Sequence, residues 1–117
     1  MHVSRDEDII VVNYLEGADI DVEIKKEMHE AYLKITSGVP HLFLFEAQGN
    51  FWLSRDAREY AAAIEPKQPF KAVAIVAKTL AYLILAYFYA KFYKPIMHYR
   101  VFKNREDALK WLKEHES

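Results

Sequence analysis

Residues 72–77 read Ala-Val-Ala-Ile-Val-Ala and run through Lys78-Thr79 into Leu80-Ala-Tyr-Leu-Ile-Leu-Ala-Tyr-Phe-Tyr-Ala-Lys-Phe-Tyr93, which Lys94-Pro95 closes. The first part is a strand without polar alternation, the pattern of a strand buried on both faces, as in a parallel sheet covered by helices. The second part, with Thr79 placed to cap it, is apolar almost all round, so one neighbouring layer cannot cover it. On a helical wheel Ala81, Ile84, Leu85, Phe88 and Phe92 form one broad face for the sheet. Leu80, Leu83 and Tyr87 then lie on one flank, with Tyr82, Ala86, Ala90 and Tyr93 on the other.

The same strand-then-helix unit recurs on either side. Asp8-Ile-Ile-Val-Val-Asn-Tyr14 reads as a strand, with His2-Val-Ser4 pairing to it as a short edge hairpin across Asp6-Glu-Asp8. After Gly17, either Asp19 or Asp21 can cap a helix that places Ile20, Ile24, Met28, Ala31, Tyr32 and Ile35 on one side. Gly38 and Pro40 stop it, glycine by accepting a left-handed backbone and proline by being unable to continue a helix. His41-Leu-Phe-Leu-Phe-Glu46 is a second non-alternating strand, and Ser54 is placed to cap a helix over Arg55 to Ile64. The last unit is the strand His98 to Phe102, the cap Asn104 and a helix from Arg105 to about Glu114, with Ala108, Leu109 and Leu112 inward and Trp111 at the rim. Four such units predict an α/β sandwich of two or three layers, with a mostly parallel sheet of four to five strands and four helices. No linker or repeat interrupts residues 1–117, so one domain is expected.

Composition narrows the function. The 117 residues are 52% hydrophobic and carry a net charge of −1, which supports a real core and offers no basic face for nucleic acid. Without cysteine there is no disulfide framework, zinc thiolate site or thiol chemistry. The N-terminus lacks a signal-peptide pattern, and the apolar run from Leu80 to Phe92 is shorter than the ~20 residues of a bilayer span, so a cytoplasmic, non-membrane protein is expected. His2, His29, His41, His98 and His115 are scattered without helical metal-pair spacing, and Gly17, Gly38 and Gly49 make no phosphate loop. No metal, cofactor or catalytic motif is expected. His29 and the carboxylates Glu23, Glu27 and Glu30 read as the wet side of the first helix.

Several of these segments resemble the SpoIIAA-like branch of STAS domains, the sulphate-transporter and anti-sigma-factor-antagonist group. They are Asp8 to Tyr14 with Gly17, Leu53-Ser-Arg-Asp-Ala-Arg-Glu-Tyr-Ala61, Val73-Ala-Ile-Val-Ala-Lys78, Phe88-Tyr-Ala-Lys-Phe-Tyr-Lys-Pro95 and Val101 to Leu112. The resemblance implies a non-catalytic regulatory or protein-interaction domain. In anti-sigma-factor antagonists a serine at the start of the helix after a buried strand is phosphorylated, and Ser54 is the nearest positional match. The family's Asp-Ser-Ser-Gly-Leu pattern is absent, and Arg55-Asp56-Ala57 stands there instead. A phosphate at Ser54 would meet a helix N-terminus with Arg55 and Arg58 nearby, while the plainer role of Ser54 is an N-cap.

A second candidate site follows from topology, because open α/β sheets bind ligands beyond the carboxyl ends of their strands. Glu46, Gln48, Asn50, Ser54, Lys78 and Thr79 would gather there, with two helix N-termini suited to an anion. The third candidate is an interface. Leu80, Tyr82, Leu83, Tyr87 and Tyr93 are more apolar surface than one copy is expected to hide, and tyrosine suits a surface that is covered by a partner. A homodimer or a protein partner is expected there. The alternatives are that neighbouring helices cover both flanks within one copy, or that the aromatic surface lines a cavity for a small apolar ligand.

Overall fold

Strand patterning and capping residues turn into a mixed sheet with helices on both faces. The computed structural model describes residues 2–47, 49–80, 82–84, 91 and 97–116. Among them lie seven strands: β1 (His2–Asp6), β2 (Ile9–Tyr14), β3 (Asp19–Ile20), β4 (His41–Ala47), β5 (Trp52–Leu53), β6 (Phe70–Val76) and β7 (His98–Phe102). The helices are α1 (Val22–Thr36), α2 (Arg55–Ile64) and α3 (Arg105–Glu114), with a short 3-10 turn at Glu65–Lys67. Leu80, residues 82–84 and Lys91 are helical as well.

The main sheet runs β1-β2-β4-β6-β7. Its edge hairpin is antiparallel, pairing Val3 with Val12 and Asp6 with Ile9, and the other contacts are parallel. Ile9 pairs with Leu42, Leu42 with Ala72, and Ala72 with His98, so one register line crosses four strands. Side chains alternate across the pleat. Ile9, Val11, Leu42, Leu44, Ala72, Ala74 and Val76 face α3, which contributes Ala108 and Leu112. Ile10, Val12, Tyr14, Phe43, Phe45 and Val73 face α1, which contributes Met28 and Tyr32. Because both faces are helix-covered, the sandwich has three layers, and the uniform apolar runs in β4 and β6 have their reason.

The caps act as the residue types require. Asp21 accepts from the Ile24 N–H at 2.9 Å, Ser54 from Ala57 N–H at 3.1 Å and Asn104 from Asp107 N–H at 2.8 Å. α1 ends in left-handed backbone at Ser37 (φ 55°) and Gly38 (φ 74°), where the Gly38 N–H reaches back to the Leu33 carbonyl.

The structure departs from expectation after β2. Asp19 and Ile20 are not the start of α1 but form β3, which pairs in parallel with β5 as a small separate ribbon. Trp52 N–H donates to Ala18 O and Ser54 N–H to Ile20 O. This pairing joins residues more than thirty positions apart, so no local pattern announces it. Gly17 (φ 80°) lets the chain turn into the ribbon, its N–H bonded to the Asn50 carbonyl at 2.7 Å. Gly49 lies against the Glu16 side chain, which would have to shift to admit a Cβ 2.9 Å from its Cγ. Among the described residues no helix is long and apolar enough to cross a membrane.

Candidate functional site

At the carboxyl ends of the strands, the sequence-predicted residues are mostly occupied with one another or with backbone. Glu46 is buried near the end of β4 and takes a hydrogen-bonded ion pair from Arg105 at the start of α3, Nη1 to Oε1 3.0 Å. The charged end of the strand is therefore an internal tie between sheet and helix. Ser54 Oγ caps α2, and Thr79 Oγ1 accepts the Tyr82 N–H at 3.3 Å. Asn50 Oδ1 faces the Tyr82 hydroxyl at 3.4 Å, and Lys78 is exposed. Gln48 lies outside the described residues. Asn50, Thr79 and Tyr82 are thus brought together, whereas Glu46 turns to α3. Near Ser54, Arg55 is tied to Glu59 at 3.0 Å, leaving Arg58 as the cation that leans over the helix cleft.

The aromatic segment is only half as predicted by the wheel. Leu80 is 72% exposed and Ile84 46% exposed, although the wheel sets Ile84 against the sheet. Tyr82, assigned to a flank, instead turns inward and stacks on Phe51 with ring centroids 5.1 Å apart. Phe51 N–H donates to the Tyr82 hydroxyl at 3.0 Å, and Phe51 stacks in turn on Tyr14 at 4.7 Å. The reason is the β3–β5 ribbon, which carries Phe51 to that side and offers an aromatic face with a backbone donor beside it. Trp52, next along the ribbon, is 71% exposed. Leu83 is half-buried, and Tyr87 and Tyr93 lie outside the described residues.

A cleft that the sequence reading did not single out lies between α1 and α2 over the aromatic face of the sheet. It encloses about 170 Å³, with a floor that includes Phe45, Phe70, Val73 and Ile75. α1 supplies Lys25, Met28 and Tyr32 at three- and four-residue steps, and α2 with the following turn supplies Arg58, Ala61 and Glu65 in the same way. The two sides are linked at the edge, where His29 Nδ1 lies 2.6 Å from Gln68 Oε1 and Lys26 sits over the Tyr60 ring. His29 is accordingly half-buried in a cross-link, not a member of a wet face as its sequence neighbours suggest. Lys25 Nζ donates to the Tyr14 hydroxyl at 3.1 Å.

Tyr32 is the unusual member. It is 2% exposed, ringed by Phe43, Phe45 and Phe70, and its hydroxyl has no hydrogen-bond partner among the described residues. An unpaired buried hydroxyl costs on the order of 1–3 kcal/mol. Burial pushes the Tyr32 phenol well above its ordinary value, and the nearby Tyr14 adds to the shift, so the group stays a neutral donor. A signal existed in the sequence: Tyr32 is the one tyrosine on the inward stripe of α1, where phenylalanine would pack without a polar atom.

Residues 3–116 match the family described as Domain of unknown function (DUF7793). A crystal structure of an uncharacterized DUF3478-family protein with a SpoIIAA-like fold from Shewanella loihica PV-4 superposes with a TM-score of 0.64 at 19% identity, covering 95% of this chain and 90% of that one. A protein of unknown function from Arthrobacter sp. FB24 aligns over 96% of this chain and 98% of that one at 17% identity with a TM-score of 0.35. No curated protein matches. The fold is SpoIIAA-like, as the sequence resemblance implied.

Proposed function

We propose that this chain, which belongs to the DUF7793 family, is a non-catalytic regulatory or protein-interaction module that works by association as one α/β domain spanning residues 1–117. The observation that carries the reading is the exposure of large apolar side chains around the segment opening at Leu80. Leu80 and Ile84 reach solvent there, and the ribbon bearing exposed Trp52 is stacked against the same segment through Phe51 and Tyr82. Exposed apolar side chains gathered into one surface mark association sites, and the reading takes Leu80 and Ile84, four residues apart, as the start of such a surface. The occupant proposed is a second copy or a protein partner, in the cytoplasm, with Leu80, Tyr82, Leu83, Tyr87 and Tyr93 in or beside the contact.

Gel filtration with light scattering tests it. The wild-type chain is expected to run at twice the mass of a single copy, and a variant carrying Leu80→Glu with Ile84→Glu to run as a folded single copy. A wild-type chain that stays single at high concentration and captures no protein from its host removes the association reading. Phosphorylation of Ser54 belongs to the same proposal as its switch: the side chain is exposed, and a phosphate would exchange the cap for charge at the α2 N-terminus. Mass spectrometry of the protein from its host decides it, and Ser54 unmodified under every growth condition leaves only the cap.

A second reading, binding of a small apolar or anionic ligand, has the cleft between α1 and α2 in its favour. The strand-end group Glu46, Asn50, Ser54, Lys78 and Thr79 is the less supported place for it, because Arg105, Tyr82 and the helix caps already engage four of those five residues.

A further inference from the structure

We propose that the cleft between α1 and α2 binds a small monocarboxylate with a one-ring or short branched apolar body, its carboxylate taken by the Tyr32 hydroxyl with Lys25 and Arg58 at the mouth. The inference rests on the ligand-binding reading and gives that ligand a place and a chemistry.

Three independent features converge there. The first is size: about 170 Å³ is comparable to the roughly 150 Å³ apolar cavity that accommodates a benzene ring. The second is the lining, a mostly apolar floor with few polar groups, which is the usual make-up of a small-molecule site. The cleft is also framed, since the His29–Gln68 contact and the Lys26–Tyr60 contact tie α1 to α2 and its following loop without filling the space between. The third is Tyr32. Tyr32 is part of the cleft lining, and its hydroxyl is desolvated and finds no partner among the described residues. A phenylalanine would fill the same volume without stranding a donor. A hydroxyl kept in that position makes sense if a ligand acceptor completes it.

The sign of the ligand follows from the charged side chains on the lining. Lys25 and Arg58 are cationic, and Glu65 is the single anionic group among the lining residues. The Lys25 ammonium is already steered toward the cleft by its bond to the Tyr14 hydroxyl. A neutral phenol donor with two cations suits a carboxylate, and the apolar floor restricts the remainder of the molecule to a compact body.

Phenylacetate and 2-phenylethylamine, which share a ring and differ in charge, test the assignment on the full chain by calorimetry and amide-resonance titration. Phenylacetate is expected to bind and to shift resonances at Met28, Tyr32 and Ala61, and 2-phenylethylamine is expected not to bind. Tyr32→Phe should weaken phenylacetate about five- to tenfold, the loss of one hydrogen bond, while raising the melting temperature. Ala61→Phe, which fills the cleft, should abolish binding. Preference for the amine, or equal binding by Tyr32→Phe, overturns the carboxylate assignment while leaving a ligand site in place. Absence of any Ala61→Phe-sensitive binding of either probe at millimolar concentration overturns both the site and the ligand-binding reading. Should Ala61→Phe fail to fold, the Tyr32→Phe comparison decides alone.

Discussion

The two faces of the sheet are packed on different terms. Toward α3 the buried side chains of the strands are all aliphatic, with Ala72 and Ala74 at the centre, and Ala108 and Leu112 come down on them with no exposure at all. Toward α1 and α2 the same strands present Phe43, Phe45, Val73 and Ile75, and the helices stand off over rings, leaving the cleft. Small residues allow a helix to approach closely. Large rings hold it at a distance and leave irregular space between their edges. One face therefore closes as a core, and the other leaves a volume whose lining includes Tyr32, the residue with the unpaired hydroxyl.

The strongest way to break this contrast is to remove a ring from the aromatic face. Phe43 is fully buried and touches Tyr32, Phe45 and Phe70, so Phe43→Ala should lower unfolding free energy by about 3–5 kcal/mol in urea titration. Adding volume should act oppositely on the two faces. Ala74→Leu, beneath α3, should cost about 1–3 kcal/mol by overpacking, whereas Ala61→Leu, beside the cleft, should be tolerated. Equal losses at both positions would show that the cleft is not open space. Arg105→Ala tests the tie across the α3 side: Arg105 is itself 46% exposed, so water replaces part of its contact with Glu46, and a loss of about 1–2 kcal/mol is expected.

A pH titration probes the aromatic face alone. Tyr32 is raised above its ordinary value of 10.0 in the folded chain. The unfolded chain therefore releases that proton first, and stability falls as pH rises past 10 toward the folded-state value. The slope from this group is at most about 1.4 kcal/mol per pH unit. Tyr32→Phe should remove that part of the alkaline loss, as read by denaturant titration between neutral and strongly alkaline pH. Smallest of all, Ser54→Ala should cost about 1 kcal/mol through the lost cap of α2, without changing either face.

How much of this was readable beforehand varied with the range of the interaction. The caps Ser54 and Asn104, the helices Arg55–Ile64 and Arg105–Glu114, and the strand His98–Phe102 came directly from local pattern, and the first cap was narrowed to Asp19 or Asp21, because a cap hydrogen bond or a side-chain period is completed within a few residues. The β3–β5 ribbon did not, since Asp19 and Ile20 read locally as the opening of a helix and become a strand only by meeting Trp52 and Leu53. The inward turn of Tyr82 followed from that ribbon, and the burial of Glu46 followed from Arg105, which lies 59 residues away.

Sequence alone determined the α/β class, the SpoIIAA-like resemblance and a parallel sheet with apolar strands, because periodicity, caps and composition are properties of short stretches. Tertiary structure decided which side of each strand meets rings and which meets alanines, and so where the helices stand apart. A cleft belongs to no single segment. It exists because residues from β2, α1, β4, α2, β6 and β7 meet around one volume, and a hydroxyl on α1 becomes a candidate ligand group only once that meeting has stripped it of water.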